Sequence, residues 1–425
     1  MRRIVRFFVL LPLMWAMRPD SFAQMVPFHT STDWQLKPSL KYDALCLFNV
    51  LSGDPYYLHY YQAEYDRFHP LFTPEEQAAF VQLKHVLKDE NGEIVSATLT
   101  LYYSTVDDET LPEMIRTAHD SSAMEAALKK TTYWSETGWK SYDQARPALE
   151  VALRALDRVG FPDYWMHSAR PRVESRIAEL AHDLPRYNIV PAMENLLGFA
   201  LPSQTITIYL LNYSEPHGIR ITGLRFLTHV SYPFRIVMHN AIHEPMHPPY
   251  SYDDPAVQRA IDLLGSDPLI ADKVQNHDPS FGYNSTRGYI EEDSVQALEE
   301  IVSEQFGVGR NPCQYWQQQD GGIHVLAAAI YVGYKAALAK HPEPYSRWFT
   351  DAVTNRQIRG DGLKSTVASF FSSAECQVRS CSQCLFSSHG RFGGNPRSTS
   401  NVGPSASSNV AIIVVVYLIT GVKPH

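Results

Sequence analysis

A helix-rich α+β fold with one small sheet is predicted by three features of this 425-residue sequence. Apolar residues recur at helical spacing over 146–159, at Leu149, Ala152, Leu153 and Leu156, and again over 173–184. Two β-branched and aromatic segments, 205–211 and 218–227, read as strands. A further helix-period stretch, 233–247, follows them directly. The same reading places a helix over 78–87, a turn at Asn91-Gly92 and a strand over 94–103. His324 opens an apolar run, 325–332, that reads as a buried helix.

Composition bounds the function classes. A hydrophobic share of 44% and an aromatic share of 12% supply a large core and exclude disorder over the whole length. Lys plus Arg number 37 against 45 Asp plus Glu, a net charge of -8, so no basic field exists for a nucleic acid partner. No G-x-S-x-G elbow and no Gly-rich phosphate loop occurs, which leaves serine hydrolase and nucleotide chemistry unsupported.

The ends differ from the body. Arg2, Arg3 and Arg6 precede the apolar run 7–17, and Ser21-Phe22-Ala23 offers small residues for cleavage, so 1–23 reads as a signal peptide. The run is too short to span a bilayer. The expectation is an exported chain, periplasmic or extracellular, with no stable membrane span in the mature body. A helix-rich region, 24–200, would be followed by a catalytic region, 201–375, and a Ser/Gly-rich tail, 376–425, with a short apolar run at 410–419. Cys46, Cys313, Cys376, Cys381 and Cys384 are odd in number, and disulfides or free thiols suit them better than a zinc knuckle.

The chemistry is carried by His239-Asn240-Ala241-Ile242-His243-Glu244-Pro245-Met246-His247. His243 and His247 stand four apart, so on a helix both rings leave one face and can hold one ion. Zinc (Zn2+) suits such ligands and lowers the pKa of a bound water to about 7. Glu244, about a quarter turn away, is placed to take that water's proton as a general base and pass it to a leaving amine. A third ligand is sought in the acidic segment 288–299. Glu291 shares a helical face with Val295, Leu298 and Val302, and a carboxylate turned inward is costly unless it meets a cation. Glu292, on the polar face with Gln296, Glu299 and Ser303, is the alternative.

H-E-x-x-H on one helix with a Glu from a later helix resembles the gluzincin branch of zinc metallopeptidases, over about residues 204–306. The resemblance implies a zincin-like metallopeptidase domain whose small sheet precedes the active-site helix. It implies zinc on His243, His247 and Glu291 or Glu292, Glu244 as general base, and a peptide or protein substrate cut by a secreted or periplasmic enzyme. It implies also that an edge strand over 218–227 pairs with substrate backbone. An oxyanion donor would come from Tyr289, Tyr283 or His239. Pro245 departs from the pattern: it removes a helix hydrogen bond to the Ala241 carbonyl and predicts a kink before His247. The 250–287 insertion must form its own structure, with a helix near 256–264. These departures keep a second expectation open, a noncatalytic exported binding or scaffold protein with a degenerate zincin fold. His239 lies about 12 Å along an unbroken helix from His247, too far to share its ion, and reads as a supporting residue.

Overall fold

The computed structural model describes residues 27–373 apart from 279, 280, 282 and 284, together with 376 and 413–414. The signal segment 1–23, Cys381, Cys384 and the tail from 377 on, save 413–414, lie outside the described residues.

A mixed sheet separates two helical layers. Its strands are β1 (Asp33–Pro38), β2 (Thr205–Leu211), β3 (His217–Ile221) and β4 (Arg225–His229). They lie in the order β1-β2-β4-β3, with β1–β2 and β2–β4 parallel and β3–β4 antiparallel. The short β5 (Ile413–Val414) runs parallel to His217–Gly218 on the outer edge of β3. Along β2, Ile206, Ile208 and Leu210 enter one core while Tyr209 and Leu211 enter the other. β4 follows in register, with Phe226 beside Ile208 and Leu227 beside Tyr209. Both faces are covered, so these strands read as near-continuous apolar runs. One core gathers the helices between residues 40 and 169; the other gathers 173–201 and the helices after 230. Chain order and core membership therefore differ, since β1 and the helix Arg170–Asp183 pack with the C-terminal half. Among the described residues no helix is long and apolar enough to cross a membrane.

Four predicted helices form near where the periodicity puts them: Pro74–Lys84, Glu136–Arg158, Arg170–Asp183 and Val325–Leu338. The insertion folds as two helices, Pro255–Gly265 and Pro268–Gln275. Cys313 and Cys376 form a disulfide, and Cys46 is a buried free thiol. Three expectations are corrected. The stretch 94–103 holds a helix, Val95–Tyr103, in place of a strand. All nine of its residues are buried, so no polar face shows the helical period, and its Thr and Val content mimics a strand. The Asn49 side chain ties it to the helix Leu40–Leu51 through Ser96, at 2.7 Å. The segment 218–227 spans two strands, β3 and β4, joined by a turn in which Gly223 takes φ +74°. The helix expected over 233–247 ends at His243.

Asp43 joins the N-terminal layer to the sheet and is fully buried. Its carboxylate accepts from Trp165 Nε1 at 2.7 Å, Asn212 N at 2.7 Å, Asn212 Nδ2 at 3.2 Å and Tyr213 N at 3.1 Å. Burial pushes its pKa up to about 6, although these four donors pull the other way. The folded value exceeds the unfolded one of about 3.9, so the contribution to stability is fully present below pH 4 and is lost as pH rises through about 6, by about 3 kcal/mol. Asp43→Asn turns an NH2 group towards two of the donors and is expected to destabilise at pH 5 by about 2–4 kcal/mol. Urea unfolding at pH 5 and pH 7.5 checks both statements: the wild type loses stability between them, and the variant starts lower and loses less.

Candidate metal centre

The helix Phe234–His243 packs on β4 and reaches β3 through Asn240. A Cβ at Gly218 would stand 2.8 Å from Asn240 Nδ2, so a larger residue there must push that side chain aside. The helix stops at His243 because Pro245 has no N–H for the Ala241 carbonyl. Glu244–Met246 then make a single 3₁₀ turn, and His247 leaves it in an extended conformation with φ -84° and ψ 129°. The predicted kink is present, and the two rings still meet, with His243 Nε2 and His247 Nε2 3.0 Å apart.

The third group comes from the long helix Thr286–Gln305. Glu292 Oε2 lies 3.6 Å from His243 Nε2 and 3.6 Å from His247 Nε2. A triangle with sides of 3.0, 3.6 and 3.6 Å has its centre about 2.0 Å from each corner, the length of a zinc–nitrogen or zinc–oxygen bond. His243 is 4% exposed, His247 6% and Glu292 0%, so water does not screen the cluster.

Glu291 takes a different position from the one its neighbours suggest. Its Oε1 is 2.9 Å from His247 Nδ1, and its Oε2 accepts from the Tyr252 hydroxyl. Glu299 stands likewise behind His243, 3.4 Å from Nδ1, and is itself held by Arg310 Nη2 at 2.8 Å. Each histidine thus has a carboxylate at Nδ1, which fixes the ring and leaves Nε2 for Glu292's side of the site. The preference for Glu291 over Glu292 as the inward carboxylate is reversed by this geometry. The reason is that the helix is buried on almost every side: from Gly288 to Ser303 only Glu291 escapes full burial. Apolar neighbours therefore do not mark the direction of the site. The usable signal was the row Glu292, Gln296, Glu299, a polar stripe on an enclosed helix. Gln296 donates to Glu292 Oε1 at 3.0 Å and accepts from Trp316 Nε1 at 2.9 Å, which holds that carboxylate in place.

Glu244 is 2% exposed, and neither of its carboxylate oxygens has a hydrogen-bond partner among the described residues. Burial raises its pKa, against the pull of His243, His247 and Arg220. Glu292 Oε2 is also unpartnered. On His243 burial opposes the charged ring, but Glu292, Glu299 and Glu244 prevail and raise its pKa to about 10. A proton and a metal ion are alternative ways to supply the positive charge these carboxylates demand. Two imidazoles and a carboxylate of this kind suit a borderline cation such as zinc better than calcium or magnesium, which favour oxygen ligands alone.

The remaining candidates stand further out. His239 pairs with Glu299, with Ser303 Oγ at 3.3 Å, which is a supporting place. The Tyr289 hydroxyl donates to Ile323 O at 2.6 Å and that of Tyr283 to Asp320 Oδ2 at 3.2 Å, so both phenols are engaged away from the donor triangle. His324 is fully buried between Asp293, at 2.6 Å, and Asp320, at 3.0 Å, and braces the long helix from behind. Arg220 of β3, with Tyr133 beside it, faces Glu244 and Glu291 electrostatically and was not singled out from the sequence. No protein-family model, curated protein or solved structure matches this chain.

Proposed function

We propose that the chain is an exported zinc peptidase, periplasmic or secreted, whose 201–375 region is a zincin-like catalytic region acting on peptide or protein substrates. The observation that supports this reading is the convergence of His243 Nε2, His247 Nε2 and Glu292 Oε2 on one point, beside a buried Glu244 with both oxygens unmatched. When bound, zinc would polarise the substrate carbonyl and make a water nucleophilic near neutral pH. The chain supplies the proton path. Glu244 takes a proton from the attacking water as the oxygen–carbon bond forms, and gives it to the amine nitrogen as the carbon–nitrogen bond breaks. The elevated pKa of Glu244 suits both halves of that transfer. Glu299 and Glu291 keep the two imidazoles in the tautomer that offers Nε2.

Elemental analysis of the zinc-loaded chain is expected to give about one zinc per molecule in the wild type and close to none in His243→Ala. No zinc in either protein would overturn the proposal and leave the noncatalytic binding protein as the better account.

A further inference from the structure

Arg220 offsets the charge of Glu244 and Glu291 but donates a hydrogen bond to neither. Ile219 and Ile221 of β3 point into the N-terminal core, so Gly218 and Arg220 share the opposite face, where the helix Phe234–His243 lies. Gly218 abuts Asn240. Arg220 lies two residues beyond Gly218 on the same face of β3, and its charge acts on Glu244. Apart from Glu244, whose two oxygens accept no hydrogen bond, the carboxylates nearby have cationic or hydroxyl partners of their own. Glu299 and Glu300 pair with Arg310, at 2.8 and 3.2 Å. Glu291 has His247 and Tyr252. Glu244 feels the charge of Arg220 but shares no hydrogen bond with it. Arg220 Nε is buried and donates no hydrogen bond, and the hydroxyl of Tyr133, whose ring lies 5.5 Å from the guanidinium, is buried with Arg220 as its polar neighbour. The Nε–H edge of Arg220, beside Tyr133 and Glu244, is thus left to donate to an anion with two acceptor oxygens.

We propose that Arg220, with Tyr133, binds a carboxylate of the substrate next to the bond being cut. This rests on the peptidase reading and narrows it to peptides that present a carboxylate near the scissile bond. The carboxylate can be the chain terminus, which makes the enzyme a carboxypeptidase, or an acidic side chain, which makes it an acid-directed endopeptidase. Arg220 is then a specificity-determining residue whose guanidinium takes the carboxylate in bidentate fashion.

The test is binding, measured by fluorescence anisotropy on the zinc-loaded full chain carrying Glu244→Gln, so that nothing is cut. Three fluorescein-labelled alanine hexapeptides are compared: one ending in a free carboxylate, one in a carboxamide, and a carboxamide form with one interior glutamate. At least one carboxylate-bearing peptide is expected to bind about 10- to 100-fold more tightly than the plain carboxamide. The ratio should fall to near one in Arg220→Ala and recover in part in Arg220→Lys, which keeps the charge but not the fork. Preference for the terminal acid alone identifies the terminus, and preference for the glutamate peptide identifies the side chain. A ratio unchanged by Arg220→Ala, or no preference in the parent protein, overturns the inference. Zinc content and turnover are read separately, so failure of the peptidase reading is told apart from failure of this one.

Discussion

Glu244→Gln is expected to lower peptide hydrolysis by about 10²–10⁴-fold while the chain keeps its zinc. The substitution preserves shape and removes only the capacity to take a proton. Glu244 is not among the three atoms that converge on the metal point, so metal content should not move. Nor should stability fall. The raised pKa of Glu244 says that its charge is held in this buried place at a cost, and a neutral amide avoids that cost. The diagnostic combination is therefore a dead enzyme with full zinc and a melting temperature at or above that of the wild type. Hydrolysis that survives in Glu244→Gln would remove this residue as the base.

What could be read from the sequence depended on whether burial was one-sided. The helices Glu136–Arg158 and Arg170–Asp183 each keep a wet face, and their apolar residues recur with the helical period. β2 was legible for a different reason, since its seven β-branched and apolar residues are bounded by Pro and Ser on one side and by Asn on the other. Periodicity failed where the element is enclosed. Val95–Tyr103 and Thr286–Gln305 bury nearly every side, so the first reads as a strand in the sequence and the second does not show there which of Glu291 and Glu292 faces His243. Contacts distant in sequence were out of reach altogether. Nothing near Asp43 announces that Trp165 and Asn212 will meet it, 122 and 169 residues away. Pro245 was legible as a break, but its consequence was not. Ending the helix early and closing with a 3₁₀ turn still brings His247 onto His243.

On the proposed zinc site Glu292 is the ligand and Glu291 its support, and their substitution should separate the effects. Glu292→Ala is expected to weaken zinc binding by more than about 100-fold, because it removes one of three donors that surround the ion. Glu291→Ala removes the hydrogen bond behind His247 and should weaken binding only about 10- to 100-fold, the usual consequence of losing an outer partner of a ligating histidine. Competition against a chelating dye measures both. The two variants also differ in stability. Glu292 is fully enclosed and its charge is offset by His243 and His247, so truncating it leaves a void among polar groups, whereas Glu291 lies nearer the surface. Without zinc, Glu292→Ala also takes away the carboxylate that does most to keep His243 protonated, and with it part of the native state's own charge pairing. A larger loss of zinc from Glu291→Ala than from Glu292→Ala would mean that the helix turns by one residue when the ion binds. Glu291 would then serve as the ligand, as the apolar face of Val295, Leu298 and Val302 suggests, and Glu292 would move to the supporting place.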